Sequence, residues 1–157
     1  MSKATRATKV LEQAGVAFTV HAYDYDPNAD HIGLHAAEAL REPPERVLKT
    51  LMALVDGKPV CVVVPSNRDV SMKKLAAAFG GKSAEMMKPT AAERISGYKV
   101  GGISPFGQTR KLPSAIEAQA LAQDLVYVNG GQRGLQVRLR PQDIVALLDS
   151  VVSAVVA

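Results

Sequence analysis

The sequence predicts a single α+β domain over residues 1–157, with a mixed, mostly antiparallel sheet and helices outside it. Some segments repeat apolar residues at helical spacing. Others alternate apolar and polar residues, or consist of a short continuous apolar run, as strands do. Asp56-Gly57 stands between two apolar runs, as a hairpin turn does. With 157 residues, 47% of them hydrophobic and 22% charged, the chain can bury a substantial core.

The first forty residues predict two helices separated by a strand. Apolar residues recur at helical spacing over residues 4–14, and Gly15 is a typical residue after a helix end. Residues 16–23 alternate as a half-buried strand does, and a polar loop follows at residues 24–30. A short helical pattern over residues 32–40 ends before the next prolines.

The central strands are predicted at residues 47–55 and 60–64, and both of their faces are apolar. Alternation puts Lys49 on the same face as Val47 and Leu51. A buried ammonium is costly unless it meets an anion or serves a function. Alternatively, a lysine near a strand end can extend its stem to water, and the pattern leaves both interpretations open.

The remaining chain predicts further helices and short strands. Ser71 is a helix N-cap and Pro141 is a typical first helical residue. The predicted helices cover residues 71–79, 89–96 and 120–123, with an amphipathic terminal helix from Pro141 through Val155; the predicted strands cover residues 82–87, 98–103, 114–118, 125–129 and 135–139.

The most distinctive segment is the glycine loop, residues 101–107, with the sequence GGISPFG. Glycine and proline make it a poor helix and a poor strand, but a good rigid loop whose backbone N–H groups a ligand can approach. A tight turn between strands is the alternative interpretation. The basic pair Arg110-Lys111 follows two residues later, which favours a binding site.

Several familiar motifs fail on inspection. Residues 80–83 imitate the end of a phosphate-binding loop, but Ala76 stands where its first glycine is required. His31 and His35 have metal-ligand spacing without a matching third ligand, so we expect a solvated helix face. Cys61 lies in an apolar strand, where a thiol has a raised pKa and is a poor nucleophile.

Composition and the position of Ser104 argue against several other functional classes. Ser104 lacks the Gly-x-Ser-x-Gly pattern and no histidine follows it, which argues against a serine-hydrolase triad. With 4% aromatic residues and no tryptophan, no base-stacking platform is visible. The net charge of +4 is only a mild basic bias. One cysteine and no apolar leader segment predict a cytoplasmic protein without a disulfide framework or membrane attachment.

What remains is a central lysine, Lys49, a glycine loop that bears a hydroxyl group, and nearby cations. These cations are Lys73, Arg110, Lys111 and Arg133. The set lacks an evident general base, and it contains no metal-ligand pattern. It suits a site that binds an anionic ligand and orients a reacting carbonyl group with backbone donors.

Four segments together resemble one family. They are residues 21–27, 47–51, 97–107 and 130–135, and the likeness extends over nearly the whole chain. The chain resembles the bacterial YbaK/EbsC proteins, relatives of the editing domain inserted in prolyl-tRNA synthetases. The resemblance implies that family's fold, with a barrel-like sheet, and an enzyme that needs neither a cofactor nor a metal.

The resemblance also implies an activity. The expected reaction is removal, in trans, of cysteine from mischarged Cys-tRNA(Pro), or also from Cys-tRNA(Cys), with the substrate's own thiol attacking its ester. Lys49 matches the family's essential lysine and Tyr23 its substrate-contacting tyrosine. Proline tRNA and prolyl-tRNA synthetase are the expected partners.

The expected substrate-binding residues are those that would contact the aminoacyl ester and the terminal adenosine of the tRNA. They are Tyr23, Thr50, Gly101, Gly102, Ile103, Ser104, Pro105, Gly107, Asn129 and Gln136, while Lys73, Arg110, Lys111 and Arg133 are expected to bind tRNA. This chain has Asn129 where relatives commonly carry a small hydroxyl residue and Gln136 where they commonly carry an acid. Two alternatives therefore stay open: an Ala-tRNA(Pro) deacylase in which water attacks, and a non-catalytic module that binds tRNA or a synthetase.

Overall fold

The computed structural model describes residues 4–29 and 31–157. In chain order the elements are α1 (Arg6–Gln13), β1 (Thr19–Ala22), α2 (Ile32–Leu40), β2 (Leu48–Val55), β3 (Lys58–Pro65), α3 (Met72–Ala78), β4 (Ala84–Met86), α4 (Pro89–Ser96), β5 (Ser114–Glu117), β6 (Val126–Asn129), β7 (Leu135–Leu139), α5 (Pro141–Leu148) and β8 (Val151–Ser153). Short 3₁₀ turns cover Pro44–Arg46 and Ala118–Ala122.

The described strands form two sheets, ordered β4-β2-β3-β5-β8 and β1-β7-β6. The β3–β5 and β5–β8 pairs are parallel, and the other pairs are antiparallel. A single-residue parallel bridge between Val47 and Tyr127 brings the two sheets together at the start of β2. The mixed, mostly antiparallel α+β class is therefore confirmed, although the sheet does not close into a barrel.

The β2–β3 hairpin is the centre of the larger sheet, as its apolar faces predicted. Its register runs from Leu48 opposite Pro65 to Val55 opposite Lys58. Asp56 and Gly57 both have positive φ, 49° and 79°, as a two-residue hairpin turn of the favoured type requires. The hairpin holds residues 48–50 beside the smaller sheet, where the cavity described below opens.

The strand predicted at residues 98–103 is wrong, because this segment is an irregular loop. Gly97 and Gly101 have φ of 79° and 90°, conformations that interrupt an extended chain. The loop is fixed by its own hydrogen bonds: Tyr98 Oη donates to the Phe106 carbonyl at 2.6 Å, and Gly102 N–H donates to the Lys99 carbonyl at 2.8 Å. The backbone thus turns away from the sheet and forms a wall.

The terminal helix is also shorter than predicted. It ends at Leu148, because Asp149 adopts a left-handed conformation with φ 52°. Val151 begins the edge strand β8 instead, and Val155 and Val156 are buried beyond it. Apolar residues at 151, 152 and 155 fit a helix and a strand alike, so their spacing alone could not decide between them.

Candidate active site

A cavity of about 370 Å³ opens where the start of β2 meets α2, β4, the glycine loop and the hairpin β6–β7. Seven of the residues predicted for the site line it, although they come from separate parts of the chain: Tyr23, Lys49, Thr50, Gly101, Ile103, Asn129 and Gln136. A pocket of this size accommodates more than an amino acid alone. The fold therefore brings most of the predicted substrate-binding residues to one concave surface.

Lys49 is the cation of the cavity wall. Its side chain is 24% exposed, and Nζ lies 3.8 Å from Oδ1 of Asp69, an exposed carboxylate on the loop after β3. Burial lowers the pKa of Lys49, and the nearby Asp69 charge opposes that change. The lysine is thus a partly desolvated ammonium at a cavity rather than a surface charge in water.

Three polar atoms of the cavity are buried without a hydrogen-bond partner among the described residues. They are Oη of Tyr23, Oγ1 of Thr50 and Oε1 of Gln136. Burial raises the pKa of Tyr23, an effect that the adjacent Gln136 amide partly offsets, so the phenol stays protonated. An unsatisfied buried polar group costs about 1–3 kcal/mol, and on a cavity wall these oxygens are available for hydrogen bonds to a polar ligand.

Asn129 lines the cavity, but its amide is already occupied. Nδ2 donates to the Gly101 carbonyl at 3.1 Å, and Oδ1 accepts from the N–H groups of Gly131 and Gln132 at 2.7 and 3.2 Å. Arg133 makes a parallel link, since its Nε donates to the Val100 carbonyl at 2.9 Å. Asn129 therefore ties the turn between β6 and β7 to Gly101 of the glycine loop, and Arg133 ties it to Val100, the residue before that loop.

Gly101 needs to be glycine for two reasons. Its φ is 90°, and a Cβ on it would lie 2.5 Å from Oη of Tyr25. The described residues contain no hydrogen bond to the backbone N–H of Gly101 or of Ile103, and both residues line the cavity. Two residues of the glycine loop that line the cavity therefore have backbone N–H groups without a hydrogen-bond partner among the described residues.

The rest of the glycine loop lies behind this wall. Gly102 packs against the backbone of residues 132–133, and Ser104 is fully buried, its Oγ accepting from the Phe106 N–H at 3.2 Å. Pro105 and Gly107 line a second cavity of about 200 Å³ instead. These four predicted contact residues do not line the main cavity, and Ser104 there serves the loop's own conformation.

The four predicted cations, Lys73, Arg110, Lys111 and Arg133, are all exposed and do not line the main cavity. Lys73 lies on α3, and Lys111 borders the second cavity. Arg133 approaches the site most directly, through its bond to Val100, and its guanidinium group lies 5.3 Å from the centre of the Tyr25 ring.

Sequence reasoning missed part of the cavity wall. His31, predicted on a solvated helix face, is exposed, but it borders the cavity at the N-cap of α2. Ser66, Met52, Met86 and Met87 also line the cavity. Their positions depend on strand register and loop packing, for which no sequence motif exists.

The described wall contains no carboxylate and no thiol. Cys61 is buried elsewhere, and burial raises its pKa to about 12. No three His, Cys, Asp or Glu side chains within residues 4–29 and 31–157 come together as metal ligands. Over the same residues, no helix combines the length and the apolar character that crossing a membrane would require.

Comparison with known proteins identifies the family. The aminoacyl-tRNA editing domain model matches residues 26–147. EbsC of Enterococcus faecalis, a candidate Cys-tRNA(Pro)/Cys-tRNA(Cys) deacylase, is 33% identical over 145 residues, which are 91% of this chain and 87% of that protein. The proline–tRNA ligase of Geobacter metallireducens is 30% identical over 89 residues, 57% of this chain but only 15% of the ligase.

Solved structures share the fold. A candidate trans-editing enzyme for prolyl tRNA synthetase superposes with a TM-score of 0.82 at 20% identity, covering 100% of this chain and 98% of the other. The hypothetical protein APE2540 superposes with a TM-score of 0.86 at 19% identity, covering 98% and 100%. The resemblance seen in the sequence is confirmed: the chain belongs to the aminoacyl-tRNA editing domain family, as a deacylase of the YbaK/EbsC type.

Proposed function

We propose that this chain removes cysteine from mischarged Cys-tRNA(Pro), and that the substrate's own thiol is the nucleophile. The observation that carries the proposal is a cavity with a cation, unused backbone donors and unpartnered neutral polar atoms, but no carboxylate or thiol among the described wall residues. Such a wall can bind and orient an aminoacyl ester. Its described residues offer no carboxylate base and no thiol nucleophile.

In the proposed reaction the cysteinyl sulfur attacks the carbonyl carbon of its own ester. A C–S bond forms, the C–O bond to the ribose breaks, and the proton lost by the thiol ends on the ribose oxygen. The products are free tRNA and a cysteine thiolactone, which water then opens to cysteine. All atoms come from the substrate and water, so the protein's task is positioning.

The wall residues divide that task. The free N–H groups of Gly101 and Ile103 are suited to stabilise negative charge on the ester oxygen during attack. Lys49 supplies a positive point charge for the terminal ribose or phosphate. The Tyr23, Thr50 and Gln136 oxygens can accept the N–H donors of the α-amino group.

The methionines favour cysteine over serine in this scheme. Met52, Met86 and Met87 contribute polarizable, apolar side chains to the cavity wall, which can receive a thiol without a hydrogen bond. The hydroxyl of serine would be buried there without a partner, which is costly.

The decisive experiment follows release of amino acid from Cys-tRNA(Pro), Ala-tRNA(Pro) and Pro-tRNA(Pro), with wild type and Lys49→Ala. We expect loss of the cysteinyl ester alone, and its abolition by the substitution. Release of alanine instead would favour a water-attacking Ala-tRNA(Pro) deacylase, for which His31 on the cavity rim is the available base. Persistence of all three esters, even with prolyl-tRNA synthetase present, would favour a binding module.

We also propose that tRNA choice comes from prolyl-tRNA synthetase as partner, because the net charge is only +4. Deacylation of Cys-tRNA(Pro) should therefore accelerate when the synthetase is added. Tight, salt-resistant binding of proline tRNA by this chain alone would contradict that part of the proposal.

A further inference from the structure

The loop that carries Asp69 is held by a segment distant in the sequence. The Ala157 N–H donates to the Asp69 carbonyl at 2.8 Å, and the Ser71 N–H donates to the Val155 carbonyl at 2.8 Å. Arg68 adds a bond to the Ala157 carbonyl at 2.9 Å. Residues 155–157, here called the strap, therefore hold the backbone at Asp69 and Ser71 and the side chain of Arg68.

The strap is itself anchored in the core by a buried carboxylate. Glu117 is 1% exposed, and its Oε1 accepts from the N–H groups of Val155 and Val156 at 2.9 and 3.1 Å. Burial raises the pKa of Glu117, but these donors and the Gln119 N–H outweigh that effect and hold it below its ordinary value. A charged Glu117 thus stabilises the strap, and the chemistry proposed above does not use it.

We propose that Asp69 is a positioning residue for Lys49, and that Glu117 and the strap hold Asp69 in place. The proposal rests on the proposed function of the cavity, in which Lys49 acts on the tRNA end. Asp69 Oδ1 lies 3.8 Å from Nζ and is almost fully exposed, so it can direct the ammonium without blocking the cavity. A carboxylate that is so exposed would be mobile by itself. The hydrogen bond from the Ala157 N–H to the Asp69 carbonyl restrains the backbone that carries it.

Among the described residues of the cavity wall, the other titratable groups are Tyr23 and His31. Neither carries a negative charge at neutral pH, because burial raises the pKa of Tyr23 and an imidazole is neutral or cationic. Within the described part of the chain, Asp69 is therefore the anion placed to orient Lys49, and its charge opposes the lowering of the Lys49 pKa by burial.

The first test measures Lys49 directly in the protein without substrate. The side-chain resonances of Lys49, assigned with Lys49→Arg, are followed by NMR against pH in wild type, Asp69→Asn and the control Asp124→Asn, an exposed carboxylate on another loop. We expect the Lys49 titration to move to lower pH by up to about 0.7 unit in Asp69→Asn alone, the size of an exposed ion pair. An unchanged titration would overturn the proposal.

The second test is a double-mutant cycle on Cys-tRNA(Pro) cleavage under single turnover. Asp69→Asn should slow cleavage about two- to five-fold, with a larger effect above neutral pH, and Asp69→Glu should restore part of the rate. In a Lys49→Arg background, whose guanidinium stays charged at all these pH values, the added pH dependence should disappear. Equal effects of Asp69→Asn in both backgrounds at every pH would overturn the role through Lys49.

Glu117→Gln tests the strap, with circular dichroism to verify folding. We expect a smaller shift of the Lys49 titration in the same direction as in Asp69→Asn; no shift in the folded variant would remove the strap from the proposal. Because the titration needs no substrate, its result is independent of whether the cavity cleaves Cys-tRNA(Pro). A normal Asp69 effect on Lys49 with no cleavage would refute the proposed function alone.

Discussion

Replacing Lys49 with methionine should stabilise the fold and abolish activity. The Lys49 side chain is 24% exposed, so its stem is mostly buried and its ammonium is partly desolvated. Methionine keeps most of the stem and removes the charge. Opposite changes in stability and activity are the mark of a residue kept for function.

The expected gain is about 1 kcal/mol in the free energy of unfolding at pH 7, the ordinary size of a single-site effect. The substitution removes a partly desolvated ammonium, whose pKa burial lowers, and the exposed Asp69 pair that is lost with it contributes only about 0.2–1 kcal/mol. For a chain of 157 residues, 1 kcal/mol raises Tm by about 2–4 °C.

The gain should depend on pH in a defined direction. Because the folded-state pKa of Lys49 lies below its ordinary value of 10.5, the unfolded chain binds more protons in that interval. Wild-type stability therefore rises as pH passes through the folded-state pKa toward 10.5. The advantage of Lys49→Met should be complete at pH 7 and should shrink over that range.

Urea unfolding at pH 7 and at pH 10 measures both quantities, with Lys58→Met as the matched control. Lys58 begins β3 at the exposed end of the hairpin, so its replacement should change stability by less than about 0.5 kcal/mol. The reasoning fails if Lys49→Met unfolds more easily than wild type at pH 7. It also fails if the variant is more stable but still cleaves Cys-tRNA(Pro) at the wild-type rate.

Four further predictions concern the cavity and its surroundings. Gln136→Met removes an unpartnered buried oxygen, so stability should stay level or rise by about 1 kcal/mol while KM for Cys-tRNA(Pro) rises about ten-fold or more; an unchanged KM would contradict ligand contact. His31→Gln should change the cleavage rate less than about two-fold, whereas a loss of about 100-fold would favour water attack. Gly101→Ala should cost about 2 kcal/mol or more in urea unfolding, from its φ of 90° and the contact with Tyr25; wild-type stability would disprove the strain. Cys61, with a pKa of about 12, should react slowly with iodoacetamide at pH 9 and rapidly in urea; fast reaction of the folded protein would show that it is not buried.

Local signals predicted most of the elements. The Ser71 cap, the Pro89 and Pro141 helix starts and the Asp56-Gly57 turn all occur as expected. Each of these signals depends on the backbone preferences of a few neighbouring residues, and no contact with a distant part of the chain opposes those preferences. The strand expected at residues 98–103 is absent, because the left-handed conformations of Gly97 and Gly101 interrupt the extended backbone that a strand requires.

The cavity was only partly predictable. Lys49 stood out because a cation in an apolar strand conflicts with burial, and the family motifs indicated Tyr23 and the glycine loop. The sequence did not show which residues of that loop line the cavity. In the structure Gly101 and Ile103 line it, whereas Ser104 is fully buried. His31 and the methionines entered the wall through packing between elements that no local pattern connects.

The sequence by itself determined the fold class, the family and the lysine, because periodicity, turn chemistry and motif residues are properties of neighbours along the chain. Only the tertiary structure decided the end of the last helix, the unpartnered oxygens of the cavity and the approach of Asp69 to Lys49. These depend on which surfaces meet after the chain has folded. Glu117, for example, does not line the cavity, and it is linked to the Asp69 loop only through its hydrogen bonds to the strap.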